Sequence, residues 1–166
     1  NGDLILLTDL IDNTRGRSLT FFDGGKDGVK HFDMSDPYCR YLRNIMSKTA
    51  DEQPPGFKGE GVYCCSEGPR FETAAEVRMI RQWGGDVVGM TNVPEAQLAK
   101  ELGLCYAAVS VVVNMATGME GGSVDLEYSD GLIKASMKRL RTLLKDCLLH
   151  PLDQKKCDCE DALIPL

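Results

Sequence analysis

Between Ser66 and Asn114 the chain alternates twice between a helix-patterned segment and a short apolar run, and glycines mark the changes. Glu72 to Trp83 is predicted helical, with Ala75, Val77, Met79 and Ile80 supplying apolar contacts and Gly84-Gly85 ending it. Asp86 to Met90 reads as a buried strand, and Pro94 to Leu102 as a helix with proline near its start and Gly103 at its end. Leu104 to Asn114, the longest apolar run and rich in β-branched residues, is predicted to be a central strand. This alternation predicts an α/β fold: a three-layer α/β/α domain around a mixed, largely parallel sheet. Ligands in such sheets gather beyond the carboxyl ends of the strands, where Met90, Thr91 and Asn114 all fall.

Upstream, Leu4 to Leu7 is a short continuous apolar run, which fits a strand buried on both faces. From Asp9 to Thr14 the chain becomes polar, and Arg15 to Lys30, rich in glycine and charge, reads as a long loop of the kind that often carries function. Asp36-Pro37 has the form of a helix start, predicting a helix to about Thr49 with Tyr38, Tyr41, Leu42, Ile45 and Met46 inward. Two prolines between Glu52 and Gly56 break it, and Gly61 to Cys65 resumes as a strand. Downstream, Thr117 to Glu127 reads as a flexible loop beside the site. Ser129 to Leu149 reads as an amphipathic helix with Leu132, Ile133, Met137, Leu140, Leu143 and Leu144 inward and a solvated basic face. Residues 1–150 are assigned to one domain and 151–166 to a poorly ordered tail.

A chain of 166 residues suits one domain with a real core. Its net charge of -6, with Lys and Arg scattered, argues against a nucleic acid partner, which requires clustered basic residues. No apolar run approaches the roughly 20 residues of a membrane helix, and a cytoplasmic protein is the expectation. The first residue is not Met, and the second already belongs to a turn entering an apolar strand. The chain therefore reads as a fragment or processed product lacking an N-terminal part.

Several blocks make the chain recognisable. Gly68-Pro69-Arg70-Phe71-Glu72-Thr73, Gly89-Met90-Thr91 and Val93-Pro94-Glu95, with Phe22-Asp23-Gly24 and His31-Phe32-Asp33-Met34-Ser35-Asp36-Pro37 upstream, resemble the trimeric purine nucleoside phosphorylase and methylthioadenosine phosphorylase family in order and spacing. The resemblance covers roughly Gly2 to Leu144 and the second half of a family member. It implies phosphorolysis of the bond between a purine and a ribose, with inorganic phosphate as co-substrate, no other cofactor and no metal, in a homotrimer or hexamer serving purine salvage.

Read onto this sequence, the resemblance implies that Phe71 covers the purine or sugar face, Glu72 and Asn114 read the base, Met90 packs on the ribose and Thr91 contacts phosphate. His31 matches the position that covers the sugar's 5' end in a neighbouring subunit's site. Arg70 is assigned a structural role. Two positions favour a 6-oxopurine. Glu72 can accept the N1 proton that adenine lacks, and the Asn114 amide can donate to N7 or O6 as charge builds on the base; Asn114 is the candidate catalytic residue. Adenine-specific relatives carry Asp at the Asn114 position and again two residues later, where this chain has Ala116.

The implied substrate is methylthioinosine, inosine or guanosine. Methylthioadenosine phosphorolysis, or a noncatalytic nucleoside-binding subunit, is the alternative. The second 5' determinant is expected between Val124 and Tyr128. Most phosphate ligands of the family lie in its N-terminal half and map to nothing here; that half is also expected to add strands to the sheet.

The seven cysteines form no CxxC pair, so no zinc site is expected. Cys64 and Cys65 are adjacent on a strand and should point to opposite faces. Cys157-Asp158-Cys159 reads as two exposed thiols on a loose terminus, with a disulfide as the alternative that similar tails of some heat-adapted archaeal family members suggest.

Overall fold

A computed structural model describes residues 1–119, 130–151 and 156–164. Its main sheet has four strands in the order β4-β3-β1-β5: β1 (Leu4–Asn13), β3 (Gly59–Ser66), β4 (Val87–Gly89) and β5 (Val109–Val111). A short strand β2 (His31–Phe32) stands outside it. The pairs β1/β3 and β3/β4 are parallel and β1/β5 is antiparallel, so the sheet is mixed and largely parallel.

Strand alternation divides the core between two faces. Leu7, Tyr63 and Cys65 on one face bury against Val93 and against Ala96 of helix α3 (Glu95–Glu101). On the other face, Leu6 packs with Met46 and Ala50 of helix α1 (Arg40–Asp51) and with Leu143 and Cys147 of helix α4 (Asp130–Cys147). Helix α2 (Ala74–Gln82) is tied to the sheet through Ile80, which meets Gly85 beside Cys64. Helices on both faces of one sheet make the three-layer arrangement. Cys64 and Cys65 are both fully buried, one toward each layer.

Several elements differ from their sequence reading. The first strand outlasts the apolar run Leu4 to Leu7: β1 slips register between Leu7 and Asp9 and continues through the polar stretch to Asn13 alongside Val62 to Ser66. A β-bulge of this kind lets a strand with polar residues stay paired. Helix α1 begins at Arg40, because the Asp36 carboxylate is engaged by Arg40 at 3.2 Å and Arg43 at 3.1 Å, while the Cys39 amide donates to the Tyr106 carbonyl at 2.7 Å. The Leu104 to Asn114 run pairs as an edge strand of the described sheet and not as a central one. Around β5 its backbone meets β1 through the bonds from Leu7 to Ala108 and from Val112 to Asp3.

Helix burial also departs from expectation. Ala75 is exposed, and α4 turns Ser136, Leu140, Leu143 and Cys147 inward while Leu132, Met137 and Leu144 face outward. The hydroxyl of Ser136 donates to the Gly2 carbonyl at 2.7 Å, which fixes the rotation of the helix. The described part of the tail, 156–164, is built into the fold. A 3-10 turn (Cys159–Asp161) leads into strand β6 (Leu163–Ile164), which pairs antiparallel with β2. The loop assigned to Thr117–Glu127 and the 5' determinant sought between Val124 and Tyr128 lie wholly or mostly outside the described residues.

Candidate active site

The carboxyl ends of β1 and β3 open into a cleft of about 280 Å³, lined by Asn13, Arg15, Ser66, Glu67, Gly68, Arg70, Glu72 and Glu76. Chain direction explains the location: β1 and β3 are parallel, so both release their following loops at the same edge. Gly68 turns the chain at φ +72°, and a Cβ there would meet the Met90 sulfur at 2.7 Å, so glycine allows the close approach of the two loops. Gly89 is equally constrained, because a Cβ would overlap the Tyr63 hydroxyl.

Helix α2 starts at the cleft wall. Thr73 is its N-cap: the Glu76 amide donates to the Thr73 hydroxyl at 3.2 Å, and the Thr73 amide donates to the Glu76 carboxylate at 2.7 Å. Arg70 completes the corner with two bonds to Glu76, at 2.8 and 2.7 Å. Arg70 is thus committed to its own helix terminus. The Arg70 hydrogen bonds, followed by the Thr73 amide, hold the Glu76 carboxyl down at about 2.

A depressed carboxyl stabilises the fold above its unfolded value of 4.5, and that contribution is lost as pH falls from 4.5 toward about 2. Glu76→Gln is therefore expected to lower the melting temperature at pH 7 and to match the wild type near pH 2. Melting curves across that window check it; a constant difference down to pH 2 contradicts the assignment.

Among the described residues, two residues that line the cleft carry a buried side-chain oxygen with no hydrogen-bond partner: Glu72, at Oε1, and Ser66, at Oγ. Buried polar atoms are nearly always paired, so an orphaned carboxylate oxygen on a residue that lines a cleft marks a place for a donor. Phe71, next to Glu72, leaves 44% of its surface exposed.

Thr91 and Met90 end the β4 segment. The Tyr63 hydroxyl accepts from the Thr91 amide at 3.3 Å and lies 3.4 Å from the Thr91 hydroxyl, while the Cys65 thiol donates to the Thr91 carbonyl at 2.7 Å. Burial pushes both the Tyr63 hydroxyl and the Cys65 thiol up, keeping both protonated, the thiol as the donor to Thr91. The next residue, Asn92, is held at φ 71°, in the left-handed region. Its amide donates to the Tyr38 hydroxyl, and its carbonyl oxygen accepts from Tyr106 at 3.2 Å.

Of the candidates only Glu72 lines the cleft; Phe71, Met90, Thr91, Asn114 and His31 do not. Because β5 runs antiparallel to β1, with Val111 opposite Leu4, its carboxyl end leaves the sheet at the edge opposite the carboxyl ends of β1 and β3, contrary to the expectation that Asn114 shares that edge. Asn114 is half-buried past the end of β5 and donates from its amide to the Met115 carbonyl at 2.9 Å. Gly118, shortly after it, packs directly on Ala74 at the start of α2, so this segment returns to the helix that follows Glu72. His31 is exposed on β2 and is not among the residues lining the cleft.

Sequence reasoning missed Ser66 and Arg17. The guanidinium of Arg17 donates to the carbonyls of Met90 at 2.9 Å, Ser66 at 3.2 Å, Glu67 at 3.3 Å and Val93, joining the ends of β3 and β4. Only the polar position of Ser66 at the end of an apolar strand signalled it; nothing in the loop sequence separates Arg17 from Arg15.

Comparison with known proteins places this geometry. The family model described as Phosphorylase superfamily matches residues 1–149. A probable 6-oxopurine nucleoside phosphorylase of Moorella thermoacetica is 44% identical over 161 residues, 97% of this chain and 62% of that protein. A probable S-methyl-5'-thioinosine phosphorylase of Methanocaldococcus jannaschii is 40% identical over 98% of this chain and 63% of its own length. Among solved structures, methylthioadenosine phosphorylase from Schistosoma mansoni in complex with adenine superposes with a TM-score of 0.83 at 28% identity, covering 93% of this chain and 62% of that one. The chain thus spans somewhat under two thirds of the relatives it matches. With the fold and the family match agreeing over nearly its whole length, the chain belongs to the phosphorylase superfamily.

Proposed function

We propose that the protein carrying this chain uses inorganic phosphate to split the glycosidic bond of a purine nucleoside with a 6-oxopurine base, such as methylthioinosine, inosine or guanosine. The observation that carries the base assignment is the unpartnered buried Oε1 of Glu72 in the cleft. A carboxylate accepts the N1–H of a 6-oxopurine, whereas adenine presents a bare acceptor there. Relatives at 40–44% identity are named 6-oxopurine nucleoside, S-methyl-5'-thioinosine and S-methyl-5'-thioadenosine phosphorylase, which supports purine nucleoside phosphorolysis and leaves the choice of base to the Glu72 observation.

The reaction makes two demands: the purine must leave as an anion or a hydrogen-bonded base, and phosphate must meet an electron-poor sugar carbon. Asn114 serves the first. An amide nitrogen has two N–H donors, so one can rest on Met115 while the other stabilises charge developing at N7 or O6. Exposed Phe71 covers the base, Met90 supports the ribose and Thr91 contributes one phosphate contact. The other phosphate ligands come from outside these residues. His31 closes the 5' side of a neighbouring subunit's site, which makes a cytoplasmic homotrimer, or a hexamer of two, the working assembly.

The test is phosphate-dependent base release from methylthioinosine, inosine and methylthioadenosine in parallel. Hypoxanthine without adenine supports the reading; adenine release at equal efficiency overturns the base assignment. Asn114→Asp is expected to raise adenine nucleoside use relative to inosine by about 10-fold or more, since it exchanges a donor for an acceptor facing the base. An unchanged ratio of catalytic efficiencies removes Asn114 from base recognition.

A further inference from the structure

Behind the site, cysteines from three separate segments converge: Cys39 at the N-cap of α1, Cys105 ahead of β5, and Cys157 and Cys159 in the tail. All four sulfur atoms lie within 4.8 Å of one another, with Cys39 and Cys159 buried and Cys105 and Cys157 half-buried. Around a metal with metal–sulfur bonds of about 2.3 Å, tetrahedral sulfur ligands stand about 3.8 Å apart. The cluster has that size. Cys105 and Cys157, at 3.3 Å, are well beyond the length of a disulfide bond of about 2.05 Å.

We infer that Cys39, Cys105, Cys157 and Cys159 form a structural site for a soft divalent metal, zinc being the d10 ion that takes four thiolates in a closed tetrahedron.

The surroundings suit such a clamp. The Cys39 side chain makes no capping bond to its helix, and a thiolate there stands at the positive end of α1. Neighbouring thiols polarise one another: against the effect of burial, hydrogen bonds from the Cys159 backbone and from Cys105 draw the Cys157 thiol below its ordinary range, while burial drives Cys105 upward and Cys159 up to about 12. Four thiols this close cannot all ionise without a cation among them, and a bound divalent ion removes that conflict by displacing the protons.

Position gives the site a purpose. Cys39 and Cys105 are next in sequence to Tyr38 and Tyr106, whose hydroxyls hold Asn92 and so the turn after Thr91. Cys157 and Cys159 precede β6, which pairs with His31 and Phe32. The tail also packs closely where Glu160 meets Gly103. A metal here would pin the tail strand and the turn behind the cleft at once, from outside the residues that read the base.

The test uses the whole chain purified under reducing conditions without added chelator. Elemental analysis is expected to find about one zinc per chain. Cobalt(II) added to the metal-free, reduced protein should give tetrahedral d–d absorption with thiolate-to-metal charge transfer. Cys157→Ser should lose the charge transfer of one thiolate and weaken cobalt binding by about 10- to 100-fold or more, and Cys105→Ser should do the same. The pair guards against one variant failing to fold. Cys64→Ser, a buried cysteine outside the cluster, should leave the spectrum unchanged.

The proposal is overturned if the reduced protein binds neither zinc nor cobalt through thiolates. It is equally overturned if alkylation and mass spectrometry show Cys39, Cys105, Cys157 and Cys159 paired in disulfides in protein isolated under the same reducing conditions.

Discussion

Replacing Glu72 with Gln should weaken hypoxanthine binding by about 10- to 100-fold, the worth of a charge-assisted hydrogen bond of ~1.5–3 kcal/mol. The substitution preserves shape, so it isolates the chemistry. In the wild type, the buried Oε1 of this cleft-lining residue has no donor among the described residues, and in the proposed reading the base supplies the missing N–H. Glutamine removes the charge and can present an N–H instead, which suits the bare N1 of adenine. Adenine affinity should therefore hold or rise while hypoxanthine affinity falls. Equilibrium titration of both bases measures the ratio directly. If that ratio stays put, Glu72 plays no part in choosing the base and the cleft's orphaned oxygen needs another partner.

Arg17→Met should cost about 2–4 kcal/mol of stability, because one guanidinium serves the Met90, Val93, Ser66 and Glu67 carbonyls and hydrogen bonds to a charged donor contribute about 1.5–3 kcal/mol each without adding fully. Methionine retains length and apolar volume but offers no donor. The loss should be local in its first consequence: amides from Met90 to Val93 should exchange faster than those of β1. Arg17 is a positioning residue, acting through the turn that presents Met90 and Thr91. Arg17→Lys, with three donors on a point charge, should restore part of the stability and of the slow exchange. Uniform acceleration across the sheet, with no recovery in Arg17→Lys, would reduce Arg17 to a general fold contact.

The contrast between Glu72 and Arg17 shows what kind of information a sequence carries. Glu72 lay in a multi-residue block at the mouth of a helix, with the capping pattern of Thr73 and Glu76 fixing where that helix begins. Local rules placed it. Arg17 lay in a polar loop beside Arg15, and its partners are more than 45 residues away in sequence. No local rule selects which of two loop arginines will find four carbonyls.

Strand ends divide the same way. Leu4 to Leu7 was visible as a continuous apolar run, but β1 reaches Asn13, because parallel pairing with β3 satisfies the backbone of a stretch whose polar side chains hide it from an apolar pattern. Leu104 to Asn114 was visible as a strand from its β-branched residues. Its edge position beside β1 in the described sheet is a fact of pairing, not of composition.

By itself, then, the sequence determined the alternation of helices and strands, the placement of a cleft at the carboxyl ends of β1 and β3, and Glu72 among the residues lining it. These follow from propensity, capping and chain direction, which act over a few residues. Tertiary structure alone decided that β1 runs on as a bulged strand, that Arg17 rather than Arg15 joins β3 to β4, and that a tail read as loose pairs with His31 and brings Cys157 and Cys159 to Cys39 and Cys105. Those outcomes depend on which distant surfaces meet. Once a side chain's partners lie across the fold, the free energy that places it belongs to packing and pairing, and no short window of sequence contains it.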